Sequence, residues 1–153
     1  MPVLGVGIDL VGVESFAEQL AAGGSAFAEQ TFTAAEVRAG SGPAGAAQHL
    51  AGRYAAKEAF VKAFSGARPG RAPVAPDLDW RHVEVVSDGW GRPGLRLHEP
   101  VAGAVRAALG EVVIQVSITH EPAMAAAVVV IESAQESGAQ ELSAQELRET
   151  ARR

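Results

Sequence analysis

The chain has 153 residues, no cysteine and a formal net charge of −5. That length suits one small domain with a modest core, and the lack of cysteine excludes a disulfide framework, a thiolate nucleophile and a thiolate metal site. Hydrophobic residues make up 48%, but 31 of them are alanine and 18 are valine, so large apolar side chains are few and an oligomer that buries further surface between subunits is expected.

The N-terminal stretch MPVLGVGIDLVGVE has no basic n-region and is interrupted by Asp9, which argues against a signal peptide. Residues 3–11 read as a buried strand of alternating valine and glycine. Val13, Phe16, Ala17 and Leu20 then recur at helical spacing, and Gly23-Gly24 stops that helix. Thr33-Ala-Ala-Glu36 is a capping box that opens a second short helix. A Gly/Pro break over 41–45 precedes a long helix, 46–65, and the proline-rich stretch GARPGRAPVAP predicts a loop over 66–76. Further on, 82–87 and 95–98 alternate apolar and polar residues around the turn DGWGRP and predict a hairpin. Pro100 and Gly110 bracket another helix. Val112, Ile114, Val116 and Ile118 mark a strand with one open face, and 125–131 is apolar throughout, as a central strand is. The longest apolar run, Met124 to Ile131, is far shorter than the roughly 20 residues that cross a bilayer, so the chain reads as soluble and cytoplasmic. Helices massed early and antiparallel strands late predict an α+β domain over 1–132. Residues 133–153, rich in Gln, Glu, Ala and Ser, read as a mobile tail.

Charge is segregated along the chain. Residues 1–36 hold five acids and no base, whereas 37–76 hold Arg38, Arg53, Lys57, Lys62, Arg68 and Arg71 against Glu58 alone. A basic segment in an acidic protein is either an ordinary solvated face or the footprint of an anionic ligand or acidic partner. The acidic balance and the absence of aromatics among the basic residues exclude a nucleic-acid coat.

Three positions invite chemistry. On a helical projection of 46–65, Leu50, Tyr54, Phe60, Val61 and Phe64 form an apolar arc that also contains Arg53 and Lys57, while Glu58 and Lys62 lie beside each other at its edge. Lys57 either snorkels along the core or serves a site; Glu58 and Lys62 either form a surface pair at i,i+4 or belong to that site. Asp9 closes an apolar stretch as a helix cap or as a ligand; with Glu58 it could hold Mg²⁺, which needs only one or two carboxylates. His120 ends VSITH, as a structural histidine or as part of a site. His49, His82 and His98 have no acidic or histidine partner at zinc-ligand spacing. Walker, GxSxG and dinucleotide fingerprints are absent from the sequence.

Taken together, VGIDLV at Asp9, FTAAEV over 32–37, RYAAKEAFVKAF over 53–64, WGRPGLRL, and the strand pair containing VSITHE and AAAVVVIE resemble the holo-acyl-carrier-protein synthase family, small trimeric 4′-phosphopantetheinyl transferases. The resemblance covers about residues 3–132. It implies transfer of phosphopantetheine from coenzyme A to a serine of an acidic apo acyl carrier protein in fatty acid or polyketide biosynthesis, releasing adenosine 3′,5′-bisphosphate, in a homotrimer with active sites between subunits. Asp9 and Glu58 match the family's Mg²⁺ ligands. Lys62 matches its phosphate-contacting lysine and His120 the histidine beside the coenzyme's phosphates. Arg92 stands where a Gly-Lys-Pro motif usually has lysine. Arg53 and Thr119 fall among the expected coenzyme A contacts. By the same resemblance Glu58, Lys62 and His120 would be catalytic. Glu14 and Ser15 replace the Lys-Arg pair of the family's carrier-docking helix, leaving Arg38 or the Arg68/Arg71 loop for that task. The alternative is a non-catalytic trimeric nucleotide-binding module of a larger synthase.

Overall fold

A computed structural model describes residues 1–22, 24–40, 45–72 and 78–134. The elements run β1 (Val3–Gly12), α1 (Val13–Ala22), α2 (Gly24–Thr31), α3 (Ala34–Ala39), α4 (Ala46–Gly66), β2 (Val83–Ser87), β3 (Pro93–Leu97), α5 (Val101–Leu109), β4 (Val112–His120) and β5 (Met124–Ser133), with a short 3-10 turn at Trp80–His82 before β2. The expected α+β class is what the chain adopts. Two antiparallel sheets form, one of order β1-β5-β4 and one pairing β2 with β3. The predicted central strand lies between its two neighbours, with Ile8 opposite Val128 and Val128 opposite Ser117.

The long helix α4 lies across the inner face of the larger sheet and forms the centre of the core. Ala55, Ala56, Ala59, Phe60 and Ala63 of this helix are wholly buried. The alternating glycines of β1 explain how it gets so close. A Cβ at Gly7 would run into the carbonyl oxygen of Ala59, and one at Gly5 into that of Ala63. The small residues on both sides thus let helix and strand backbones meet, and alanine is the material of this core rather than a dilution of it.

The same observation corrects the expected burial of residues 3–11. Glycine, not valine, faces the core, and Val6, Ile8 and Leu10 point outward at 60%, 63% and 63% exposure. Two-residue periodicity was legible, but its polarity was inverted, because a closely approaching helix needs the smaller residue inside.

The first helix stops at Ala22, as Gly23-Gly24 predicts, and a further helix, α2, follows at once where the sequence pattern placed no element. It contributes Phe27, which meets Phe16 of α1 edge-on at 6.0 Å and Tyr54 of α4 at the same distance. The capping box at Thr33 is present as predicted: the Thr33 hydroxyl accepts from the Glu36 N–H, and the Glu36 carboxylate accepts from the Thr33 N–H. The hairpin β2–β3 and the helix between Pro100 and Gly110 also match. Parts of the two expected breaks, at 41–44 and 73–77, lie outside the described residues, as does 135–153 of the proposed tail.

Candidate active site

The candidate residues fall into two groups on opposite sides of α4. Arg53 and Lys62 are nine positions apart, about 180° around a helix.

On one side, β1 delivers Asp9 from its inner face, next to Gly7. Asp9 Oδ1 accepts a 2.7 Å hydrogen bond from Lys62 Nζ, which also donates to the Ile8 carbonyl at 3.2 Å. Asp9 is therefore not a helix cap, since α1 begins four residues later. Of the two readings of Glu58 and Lys62, the surface pair does not form; Lys62 turns to Asp9, and Glu58 Oε1 accepts from the Tyr54 hydroxyl at 3.1 Å. Burial first, and then the Glu58 and Asp9 carboxylates, push the Tyr54 phenol up to about 12. Hydrogen bonding to Asp9, with the charges of Asp9 and Glu58 adding to it, raises Lys62 above the usual lysine value. Both shifts place Asp9 and Glu58 in one neighbourhood, with a tyrosine kept protonated and a lysine kept charged. Tyr54 was not singled out in the sequence as chemical, although its position one turn before Glu58 was a usable sign.

On the other side, a cleft of about 230 Å³ is lined by His49, Arg53, Ser87, Gly91, Ile118 and His120, among others. Arg53 is 9% exposed, and no carboxylate of the described residues lies within ion-pair distance of it. Its Nη1 meets His49 Nδ1 at 3.3 Å, and its Nε has no hydrogen-bond partner. A buried guanidinium without an ion-pair partner, with only the more distant Glu36 carboxylate acting on it, can receive an anion. Gly91 and Pro93 bring the hairpin to the rim of this cleft. Arg92 between them is exposed, pairs with Asp88 at 2.5 Å and stacks over Trp90. Thr119, next to His120, is exposed and alternates with Ile118 onto the outer face of the sheet, so one chain does not bring it into the cleft with His120.

Lys57 belongs to neither group. It does not snorkel: it is wholly buried, and its Nζ donates to Glu36 Oε2 at 3.0 Å, the Trp80 carbonyl at 2.8 Å and the Val83 carbonyl at 2.6 Å. Glu36 also accepts from the Val85 N–H, so the pair binds α3, α4 and β2 together. A cavity of about 970 Å³ lies beside α3 at Val37, Arg38, His82 and His98; of the candidate residues it takes in only Arg38, one of those left for carrier docking, and none of the metal, catalytic or coenzyme A candidates.

Two carboxylates and a lysine on one face, and a buried arginine beside two histidines on the other, are groups able to bind a polyphosphate and a counter-ion. A family model described as the 4′-phosphopantetheinyl transferase superfamily matches residues 5–123. The chain belongs to this superfamily. It is 50% identical over 134 residues to the holo-[acyl-carrier-protein] synthase of Mycobacterium tuberculosis, covering 87% of this chain and 99% of that one. It is similar to the Chronobacterium ammoniagenes ACPS-CoA complex, with a TM-score of 0.80, 40% identity, and coverage of 88% and 100%. Against the solved acyl carrier protein synthase of Mycobacterium tuberculosis the TM-score is 0.69, with 44% identity and coverage of 86% and 99%. The α+β architecture of a phosphopantetheinyl transferase, expected from the motifs, is thus the architecture of the chain.

Proposed function

We propose that this phosphopantetheinyl transferase moves the 4′-phosphopantetheine arm of coenzyme A onto a serine hydroxyl of an apo acyl carrier protein, with Mg²⁺ held by Asp9 and Glu58. The observation that carries this reading is the division of the site: a carboxylate–lysine–tyrosine face on one side of α4 and, on the other, an Arg53 without an ion-pair partner beside His120.

In the reaction the serine oxygen bonds to the phosphorus that carries pantetheine. The bond from that phosphorus to the bridging oxygen breaks, and the bridging oxygen leaves on adenosine 3′,5′-bisphosphate. The serine proton must be taken up, and Glu58 would take it; the hydrogen bond from Tyr54 to Oε1 holds its carboxylate in orientation. Lys62, kept charged by Asp9, faces the charge that develops on the phosphoryl oxygens. Arg53 and His120 would hold the phosphates of the coenzyme in their cleft, with Arg92 and Thr119 as further contacts. The donor chemistry fits Mg²⁺: two hard carboxylates suffice when phosphate and water complete the shell. When bound, the ion supplies charge neutralisation at the pyrophosphate.

Because Glu58 and Arg53 lie on opposite sides of one helix, a complete site needs halves from two chains. The outer face of the larger sheet supports such an assembly. Val6, Ile8, Leu10 and Val128 are exposed there together, and an apolar patch of neighbouring residues marks an interaction surface. We read the protein as a homotrimer with a site at each junction. Helix α1 carries Glu14 and Glu18 and no base, so Arg38 or Arg68 and Arg71 are left to meet an acidic carrier. The coenzyme A requirement and the absence, among the described residues, of a helix long and apolar enough to cross a membrane support action in the cytoplasm.

Incubation with an apo acyl carrier protein, coenzyme A and Mg²⁺ should add one phosphopantetheine to the carrier's intact mass. No gain across several carriers would overturn the reading and favour a binding module.

A further inference from the structure

We propose that His49 is a positioning residue, whose neutral Nδ1 holds the Arg53 guanidinium so that its remaining N–H groups face the cleft and set the affinity of that cleft for phosphate. The inference rests on the reading of this cleft as the phosphate-binding half of the transferase site.

His49 and Arg53 are one turn apart on α4, and their contact is 3.3 Å. A guanidinium has five donors and no acceptor, and it does not deprotonate. His49 Nδ1 must therefore accept, which puts the ring proton on Nε2. Arg53 Nε is buried without a hydrogen-bond partner, in contrast to the usual pairing of buried polar groups. The ring is confined as well: a Cβ at Gly40 would lie 2.9 Å from His49 Cδ2. His120 faces the ring from β4, and the backbone of Glu36 approaches it from α3. Burial above all, then the charges of Arg53 and His120, hold the His49 imidazole below its ordinary value, so it stays an acceptor at neutral pH.

The choice of residue has a chemical reason. A carboxylate at position 49 would also accept from Arg53, but it would cancel the positive charge that the cleft offers to an anion. A neutral imidazole aims the guanidinium and leaves its charge available. Leucine would leave the guanidinium free to rotate against Ser87 or out towards solvent.

The test measures the dissociation constant of adenosine 3′,5′-bisphosphate by titration calorimetry with the full chain. His49→Leu should weaken binding about tenfold, the size of one charge-assisted hydrogen bond. His49→Asn, whose Oδ1 occupies nearly the position of Nδ1, should stay close to the wild type, while His49→Gln, with its acceptor further out, should not rescue. In an Arg53→Met background, His49→Leu should have no further effect. If Arg53→Met weakens binding and His49→Leu does not, the positioning role is overturned and the cleft reading stands. If Arg53→Met leaves binding unchanged, both are overturned. Additive losses in the double variant would overturn the action of His49 through Arg53. If the leucine variant does not fold, the Asn and Gln pair decides alone, and equal affinities overturn the proposal.

Discussion

Lys57→Met removes one half of an ion pair in which both side chains are completely buried. The Lys57 ammonium spends all three of its protons, on Glu36, Trp80 and Val83. Methionine matches its length and leaves little cavity, so the cost is electrostatic. The Glu36 carboxylate retains the Thr33 and Val85 N–H groups but loses its counter-charge, and two carbonyls lose a donor. Breaking a buried pair in this way costs about 3–5 kcal/mol. At about 2–4 °C per kcal/mol for a chain of this size, the melting midpoint should fall by roughly 6–20 °C. Thermal denaturation followed by circular dichroism reads this directly. The double variant Lys57→Met/Glu36→Gln should be less destabilised than Lys57→Met, because it leaves no lone charge behind. A midpoint for Lys57→Met within about 2 °C of the wild type, less than 1 kcal/mol, would refute the assignment of this lysine to the framework.

Asp9→Asn and Glu58→Gln should each lower transfer by about 100-fold or more, the range of a lost acid–base or charge-stabilising group, with melting midpoints near the wild type; a near-native rate at limiting Mg²⁺ would contradict the metal assignment. Ile8→Glu, on the outer face of β1, should give a smaller species by light scattering and little transfer; an unchanged mass would remove that face from the assembly. For pH, the sign follows from His49: its folded value lies below 6.5, so the unfolded chain takes up a proton first as pH falls through that value, and stability drops with acid. The fall in melting midpoint from pH 7.5 to 5.5 should therefore be smaller in His49→Asn, and equal falls would show that the ring does not stay neutral on folding.

The residues that periodicity exposes were legible from the sequence. The capping box at Thr33, the hairpin around DGWGRP and the strand ending at His120 form where their patterns put them, because local chemistry decides each. Of the motif residues, Asp9 and Lys62 meet, Lys62 turning to Asp9 rather than to its helical neighbour Glu58, which bonds Tyr54 instead. What escaped depended on distance in the chain. Glu36 was read only as a capping residue, yet it is also the counter-charge of Lys57, 21 residues away, and no helical projection shows that. The inward glycines of β1 could not be recognised without knowing that a helix of alanines lies against them. His49 was set aside because it lacked an acidic partner, whereas its partner is a base one turn on.

Strand β1 has a consequence for how the enzyme behaves on dilution. Asp9 sits between Ile8 and Leu10, so in the proposed homotrimer the carboxylate assigned to the metal and the side chains that would join the chains alternate along a single stretch of backbone. Separation of the chains would not merely expose apolar surface; it would take the Arg53 cleft of one chain away from the Asp9 and Glu58 of the next. Specific activity would then depend on protein concentration, and a dissociated chain would be folded yet hold only half a site on each side of its central helix.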